Sequence, residues 1–180
     1  MLIIDRFQGL VPTDHSYVLL AGADILPDMA IGRLAAQSNA EAVKMVNKII
    51  QYEENHIAHL TNPGAYQWLG NILYAADDYD PNAGDFCYEN EVTSAMMPAS
   101  FTVNELCLDD FPSVAAMRTA ISQTINTDGI TLMNYRGHGS VDSWAGGLLT
   151  TATANFWDNE NRPITLLSMD CLDSHFIFPG

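Results

Sequence analysis

Five apolar runs of strand length, separated by segments whose apolar residues recur at helical spacing, constrain this chain more than any other feature. Such alternation suits a mostly parallel sheet with helices on its faces, because each strand must be reached by a crossover that packs back on the sheet. YVLLAGA (17–23), GNILYAA (70–76), TVNELCL (102–108), GITLMNY (129–135) and PITLLSMD (163–170) read as the strands. Between them, Ser38 and Asn39 are N-cap candidates for AEAVKMVNKIIQYEEN, where Val43, Val46, Ile49 and Ile50 form one apolar stripe. Pro112 and Ser113 open SVAAMRTAISQTIN, which should stop before Asp128 and Gly129, and TTATANFW is a weaker helical segment. DDYDPNAGD reads as a loop, and no repeat or linker interrupts the pattern, so one α/β domain is expected over residues 1–180.

Charge and cysteine usage narrow the chemistry. With 22 acidic against 7 basic residues the net charge is −15, which argues against nucleic acid and anionic membrane surfaces, where clustered Lys and Arg supply affinity. No apolar run approaches the roughly 20 residues of a membrane span, and Asp5 and Arg6 interrupt the opening where a signal peptide would be continuous. Cys87, Cys107 and Cys171 are too few and too scattered for a disulfide framework or a CxxC metal pair. At least one thiol should be free, and Cys87 and Cys107 read as core or loop thiols.

In an open sheet of this kind, chemistry collects at the carboxyl ends of the strands. GITLMNY leads into His138 within NYRGHGS, and PITLLSMD ends at Cys171, one strand–helix–strand unit later. A right-handed crossover sets the two residues on neighbouring or near-neighbouring strands at one edge. Alone, each is ordinary: a histidine in a Gly-rich turn, a small buried hydrophobe. Together they are the base and nucleophile of a cysteine hydrolase, since an imidazole beside a thiol favours the thiolate and later protonates the leaving amine. Gly137 and Gly139 then provide backbone freedom and room beside the ring. The Gly139 N–H, with that of Cys171, is the candidate oxyanion donor, a role worth roughly 3–4 kcal/mol per donor.

Other polar clusters are weaker. Asp78, Asp80, Asn82 and Glu89 fall at positions 1, 3, 5 and 12 of a calcium-loop pattern, although Ala83 stands where that pattern needs Gly and a strand precedes the loop. A calcium site and a merely solvated acidic turn both stay open. His56 and His59 have metal-compatible spacing without a completing ligand set and read as a solvated helix end. His175 lies on the cysteine's own loop and ranks below His138 as a base, and Arg33 should have a carboxylate partner.

NYRGHGSVDSW resembles the YxGHGS segment and following Trp of the gingipain-like cysteine peptidases (peptidase family C25, in the clan of the caspases), and ITLLSMDC resembles their cysteine-bearing strand. LLAGADILPDMAIGRLAAQSNAEAVKMVNKIIQYE is similar to the family's D-x-x-P-D-x-x-x-G-R-L block and its helix. The resemblance implies a caspase-like three-layer α/β sandwich, a Cys–His dyad cleaving peptide bonds of protein substrates, secretion to the cell surface or beyond, and no required cofactor. It makes His138 the general base and acid and Cys171 the nucleophile. It also implies that Asp78 or Asp77 supports the histidine and that Asp85 lines a pocket for a basic side chain.

Two departures accompany it. CLDSHF carries Ser174 where the family has Gly, and only nine residues follow Cys171, so the domain is expected to be incomplete at its carboxyl end. Such a chain should fold around its sheet, turn over peptides slowly and expose its last strand to self-association. A noncatalytic interaction module and a sortase-like transpeptidase are the alternatives.

Overall fold

A computed structural model describes residues 2–5, 9–159 and 161–172, with side chains from residue 13 onward. Ser174 and His175 lie outside the described residues. The chain divides into two compact units, the first up to Met45 and the second from Val46 onward.

In the first unit, β1 (Leu2–Asp5) and β2 (Gly9–Pro12) form an antiparallel pair with Leu2 opposite Pro12. YVLLAGA is not a strand. His15–Val18 is a 3-10 turn followed by bends, because the amides a ladder would need are taken by a side chain. Asp28 Oδ2 accepts from the Leu20 and Ala21 N–H groups at 2.6 and 2.8 Å, and Gly22 turns the chain at φ 79°. The Ala21 and Leu20 amides hold the Asp28 carboxyl below its usual range. Arg33 finds its carboxylate in Asp14, with Nε–Oδ2 2.8 Å and Nη2–Oδ1 2.5 Å. Ser38 caps α1 (Asn39–His59): its Oγ accepts from Glu41 N–H at 3.2 Å while Glu41 Oε2 accepts from Gln37 N–H at 2.7 Å. The apolar stripe of this helix is exposed, with Val43, Val46, Ile49 and Ile50 at 43–57%.

The second unit is built on a four-stranded parallel sheet of order β4-β3-β5-β6. Its strands β3 (Asn71–Ala76), β4 (Thr102–Cys107) and β6 (Thr165–Met169) fall inside three of the later apolar runs, and β5 (Leu132–Arg136) starts inside GITLMNY and runs one residue past it. Alternation along the strands sends Leu73, Ala75, Met133 and Tyr135 to one face, where they pack with Met117 and Ile121 of α3 (Val114–Gln123) and with Ile125, Ile130, Trp144 and Leu148. Fully burying an aliphatic side chain of this kind stabilises by roughly 1.5–3 kcal/mol. Asn134 points the other way and its Nδ2 donates to Asn90 Oδ1 of α2 (Phe86–Ser94) at 3.0 Å, while Asn90 Nδ2 donates to the Ala75 carbonyl at 2.9 Å. Helices thus cover both faces, in the three-layer arrangement of a caspase-like fold.

Helix α2 carries no apolar stripe to announce it, since it buries Asn90 and Ser94 and exposes Tyr88 and Val92. Ser113 caps α3 through Ala116 N–H at 3.2 Å. The helical backbone runs on as a wide π turn through Asp128, past the expected stop, until Gly129 at φ 70° ends it. TTATANFW supplies one turn, α4 (Thr151–Ala154), with a reciprocal Thr150–Thr153 cap.

Cys87 and Cys107 are not free thiols. They form a disulfide with Cα atoms 5.6 Å apart, tying the first turn of α2 to the last residue of β4. Their separation of 20 residues hid the pairing, which exists because α2 packs beside β3 and β4. A cross-link closing a loop of this length stabilises by about 3 kcal/mol in the chain-entropy model. Cys171 is free and exposed.

Candidate active site

Register brings the two candidate residues to one edge. Arg136 of β5 pairs with Met169 of β6, so His138 and Cys171 each lie two residues beyond paired positions of adjacent parallel strands. The Gly137 N–H donates to the Met169 carbonyl at 3.4 Å and the Asp77 N–H to the Arg136 carbonyl at 3.0 Å, extending the ladder toward the site.

His138 is held from several sides. Its N–H donates to Asp77 Oδ2 at 3.1 Å, and its carbonyl accepts from Tyr135 O–H at 2.8 Å and Ala145 N–H at 2.9 Å. Tyr135 itself stacks on Trp144 with ring centroids 3.9 Å apart, and the Trp144 indole N–H donates to Ser168 Oγ of β6 at 2.9 Å. The tryptophan of the sequence motif is therefore a clamp between the strands that carry the two residues. The imidazole, half exposed, places Nε2 2.8 Å from Asp80 Oδ2 and meets the Phe86 ring edge-on at 5.4 Å.

The acidic loop resolves into separate tasks. Asp77, 2% exposed, also accepts from the Asp78 N–H at 3.0 Å; burial pushes its carboxyl up, opposed by the amides of His138 and Asp78. Asp78 is exposed, and the carboxylate on the His138 ring belongs to Asp80 instead. The Asn82 amide, followed by His138, lowers the Asp80 carboxyl below its usual range. Asp85 caps α2, its Oδ1 accepting from Tyr88 N–H at 2.9 Å. Sequence spacing singled out Asp80 for calcium and missed its approach to the histidine, which depends on the Asp80–Gly84 bridge that folds the loop back.

Of the calcium-spaced residues, Asp80 accepts from both Asn82 nitrogens, while Asp78, Asp80 and Glu89 form no close group of ligand atoms. Asp80 also binds His138, and Glu89 is ion-paired with Arg136 at 3.1 Å. Among the described residues only Cys87, Cys107 and Asp109 form a group of three metal-ligand types, and those sulfurs are bonded to each other. His56 packs edge-on against Tyr52 and gains no ligand set with His59.

The glycines around His138 are required by close approach within the protein. A Cβ at Gly137 would lie 2.4 Å from Asp77 Cβ and 2.6 Å from Tyr135 Oη, and one at Gly139 would lie 2.3 Å from Asp170 Oδ2. The space beside them is filled by these side chains. Just past Cys171, Leu172 adopts φ 72°, in the left-handed region.

The sequence and the fold have known counterparts. The profile of peptidase family C25 matches residues 2–179. The chain belongs to that family. It is 26% identical over 173 residues to gingipain R2 of Porphyromonas gingivalis, covering 93% of this chain and 22% of the relative, and 26% identical over 164 residues to Lys-gingipain W83 of the same organism, covering 91% and 9%. The structure of the complex of Porphyromonas gingivalis RgpB pro- and mature domains superposes with TM-score 0.74 at 20% identity, over 94% of this chain and 39% of that one. The crystal structure of the Arg-specific cysteine proteinase gingipain R gives TM-score 0.68 at 21% identity, over 94% and 38%. This C25 chain therefore spans about a fifth or less of the length of these curated relatives.

Proposed function

We propose that this chain carries the catalytic dyad of a cysteine endopeptidase, with Cys171 as nucleophile and His138 as base and acid. The observation that carries the reading is the shared register of the two residues on adjacent parallel strands. Asp80 occupies Nε2 of the imidazole and favours the tautomer protonated there, which leaves the Nδ1 lone pair to take the thiol proton. The Cys171 sulfur then attacks the peptide carbonyl, with the Gly139 N–H as a donor to the developing oxyanion. His138 returns the proton to the leaving amine as the C–N bond breaks, and water hydrolyses the thioester. Peptides with a basic residue at the cut are the favoured substrates: the chain carries −15, and one solved relative is an Arg-specific cysteine proteinase. The disulfide supports a workplace in an oxidising, extracellular compartment.

Alkylation tests the assignment. Iodoacetamide or a peptidyl acyloxymethyl ketone, applied without reductant at neutral pH, should modify Cys171, and His138→Ala should slow the reaction. An unreactive Cys171, or a rate indifferent to His138→Ala, removes the dyad.

A further inference from the structure

We propose that the Cys87–Cys107 disulfide is a redox-sensitive latch that holds the imidazole of His138 in its working orientation; its effect on peptidase activity rests on the reading above. The hydrogen-bond partner and the aromatic neighbour of the ring among the described residues, Asp80 and Phe86, lie on the segment between Asp77 and Cys87. One end of that segment is fixed by Asp77, a buried residue hydrogen-bonded to the His138 N–H. The other end is fixed by the covalent tie from Cys87, directly after Phe86, to Cys107 at the end of β4. Other contacts need no sulfur: Asn90, deeper in α2, binds Ala75 and Asn134, Glu89 of the first turn pairs with Arg136, and the Tyr79 N–H donates to Asp109 Oδ2 at 3.1 Å. Reduction therefore removes the covalent tie directly after Phe86 while these polar contacts stay, and the Phe86 and Asp80 side chains gain freedom against the ring.

The step is thiol–disulfide exchange. A thiolate of an external dithiol attacks one sulfur of the pair, breaking the S–S bond and forming a mixed disulfide. Its second thiolate then expels the remaining protein thiolate. Two protein thiols and the cyclic oxidised dithiol result, two electrons having passed to the protein. Cys87 and Cys107 are partly exposed, beside a depression rimmed by Glu91, Glu105 and Asp110. That acidic rim disfavours anionic reductants relative to a neutral dithiol, a difference that salt should erase.

The experiment compares the oxidised chain, the chain reduced with a neutral dithiol, and Cys87→Ser/Cys107→Ser. It reads the imidazole C–H resonances of His138 and the rate of Cys171 alkylation mapped by mass spectrometry. Reduced and doubly substituted chains should share shifted His138 resonances and alkylate Cys171 about tenfold more slowly, the loss of thiolate expected when a thiol that has lost its imidazole partner rises by about one pKa unit. The amide resonances of Met133 and Asn134 should stay put. Identical His138 resonances and rates in oxidised and reduced chains overturn the latch, and the reduced wild type decides this even if the double variant fails to fold. The two readings separate cleanly: if His138→Ala leaves Cys171 alkylation unchanged while the resonances still follow the disulfide, the dyad falls and the latch stands.

Discussion

The end of β5 and the end of β6 carry the two halves of the proposed site under opposite constraints. β5 is an inner strand, and its end is pinned by Asp77, Tyr135, Ala145 and the stacked Trp144, with Asp80 and Phe86 on the ring. Among the described residues β6 is the last strand of the sheet, its Leu166, Leu167 and Met169 are substantially exposed, and Cys171 follows it in an exposed bend beside the left-handed Leu172. A base must hold one orientation toward both a proton and an acid, which an inner strand provides. A nucleophile must be reached by substrate, and the exposed bend that carries Cys171 permits that.

Removing the base should have the largest effect. In a catalytically competent form, His138→Ala should lower kcat/KM by about 10²–10⁴, the range for a positioned acid–base group, measured on a basic fluorogenic peptide. A loss below tenfold would mean that the pinned end is scaffold only. The next test contrasts backbone changes at the two ends. Gly137→Ala must displace Asp77 or Tyr135 and should cost about 1–3 kcal/mol in urea unfolding, as overpacking does. Leu172→Gly should instead gain about 1 kcal/mol by relieving its left-handed backbone. Destabilisation by both would break the contrast between a packed end and a strained one.

Within the pinned end, the carboxylates should respond to pH with opposite signs. The raised Asp77 holds its proton more tightly folded than unfolded, so its contribution to stability falls as pH rises from the ordinary value of 3.8 through its native one. The lowered Asp80 contributes stability above 3.8 that is lost as pH falls through its native value. Urea midpoints against pH for Asp77→Asn and Asp80→Asn should lose slopes of opposite direction. Slopes of the same sign would show that the two are not separately tasked. The smallest effect belongs to Asp85: Asn is an equally good cap, so Asp85→Asn should change stability by less than about 0.5 kcal/mol. It should also leave the substrate profile unmoved, whereas a pocket role would relax the preference for a basic residue.

The sequence by itself determined the parallel sheet and the placing of His138 and Cys171 at neighbouring strand ends, because both follow from local period and the handedness of crossovers. Four strands of the five read from apolar runs are present; YVLLAGA fails because Asp28, seven or eight residues away, takes the amides it would have offered a neighbour. Tertiary structure alone decided what surrounds the histidine. Helix α2 buries an asparagine, so it leaves no apolar period to read, yet its docking on the sheet brings Cys87 to Cys107 and Phe86 to His138. Asp80, not Asp78, reaches the ring because the loop folds back through Gly84. These pairings join residues far apart in sequence through polar, covalent and aromatic contacts, and such contacts have no period.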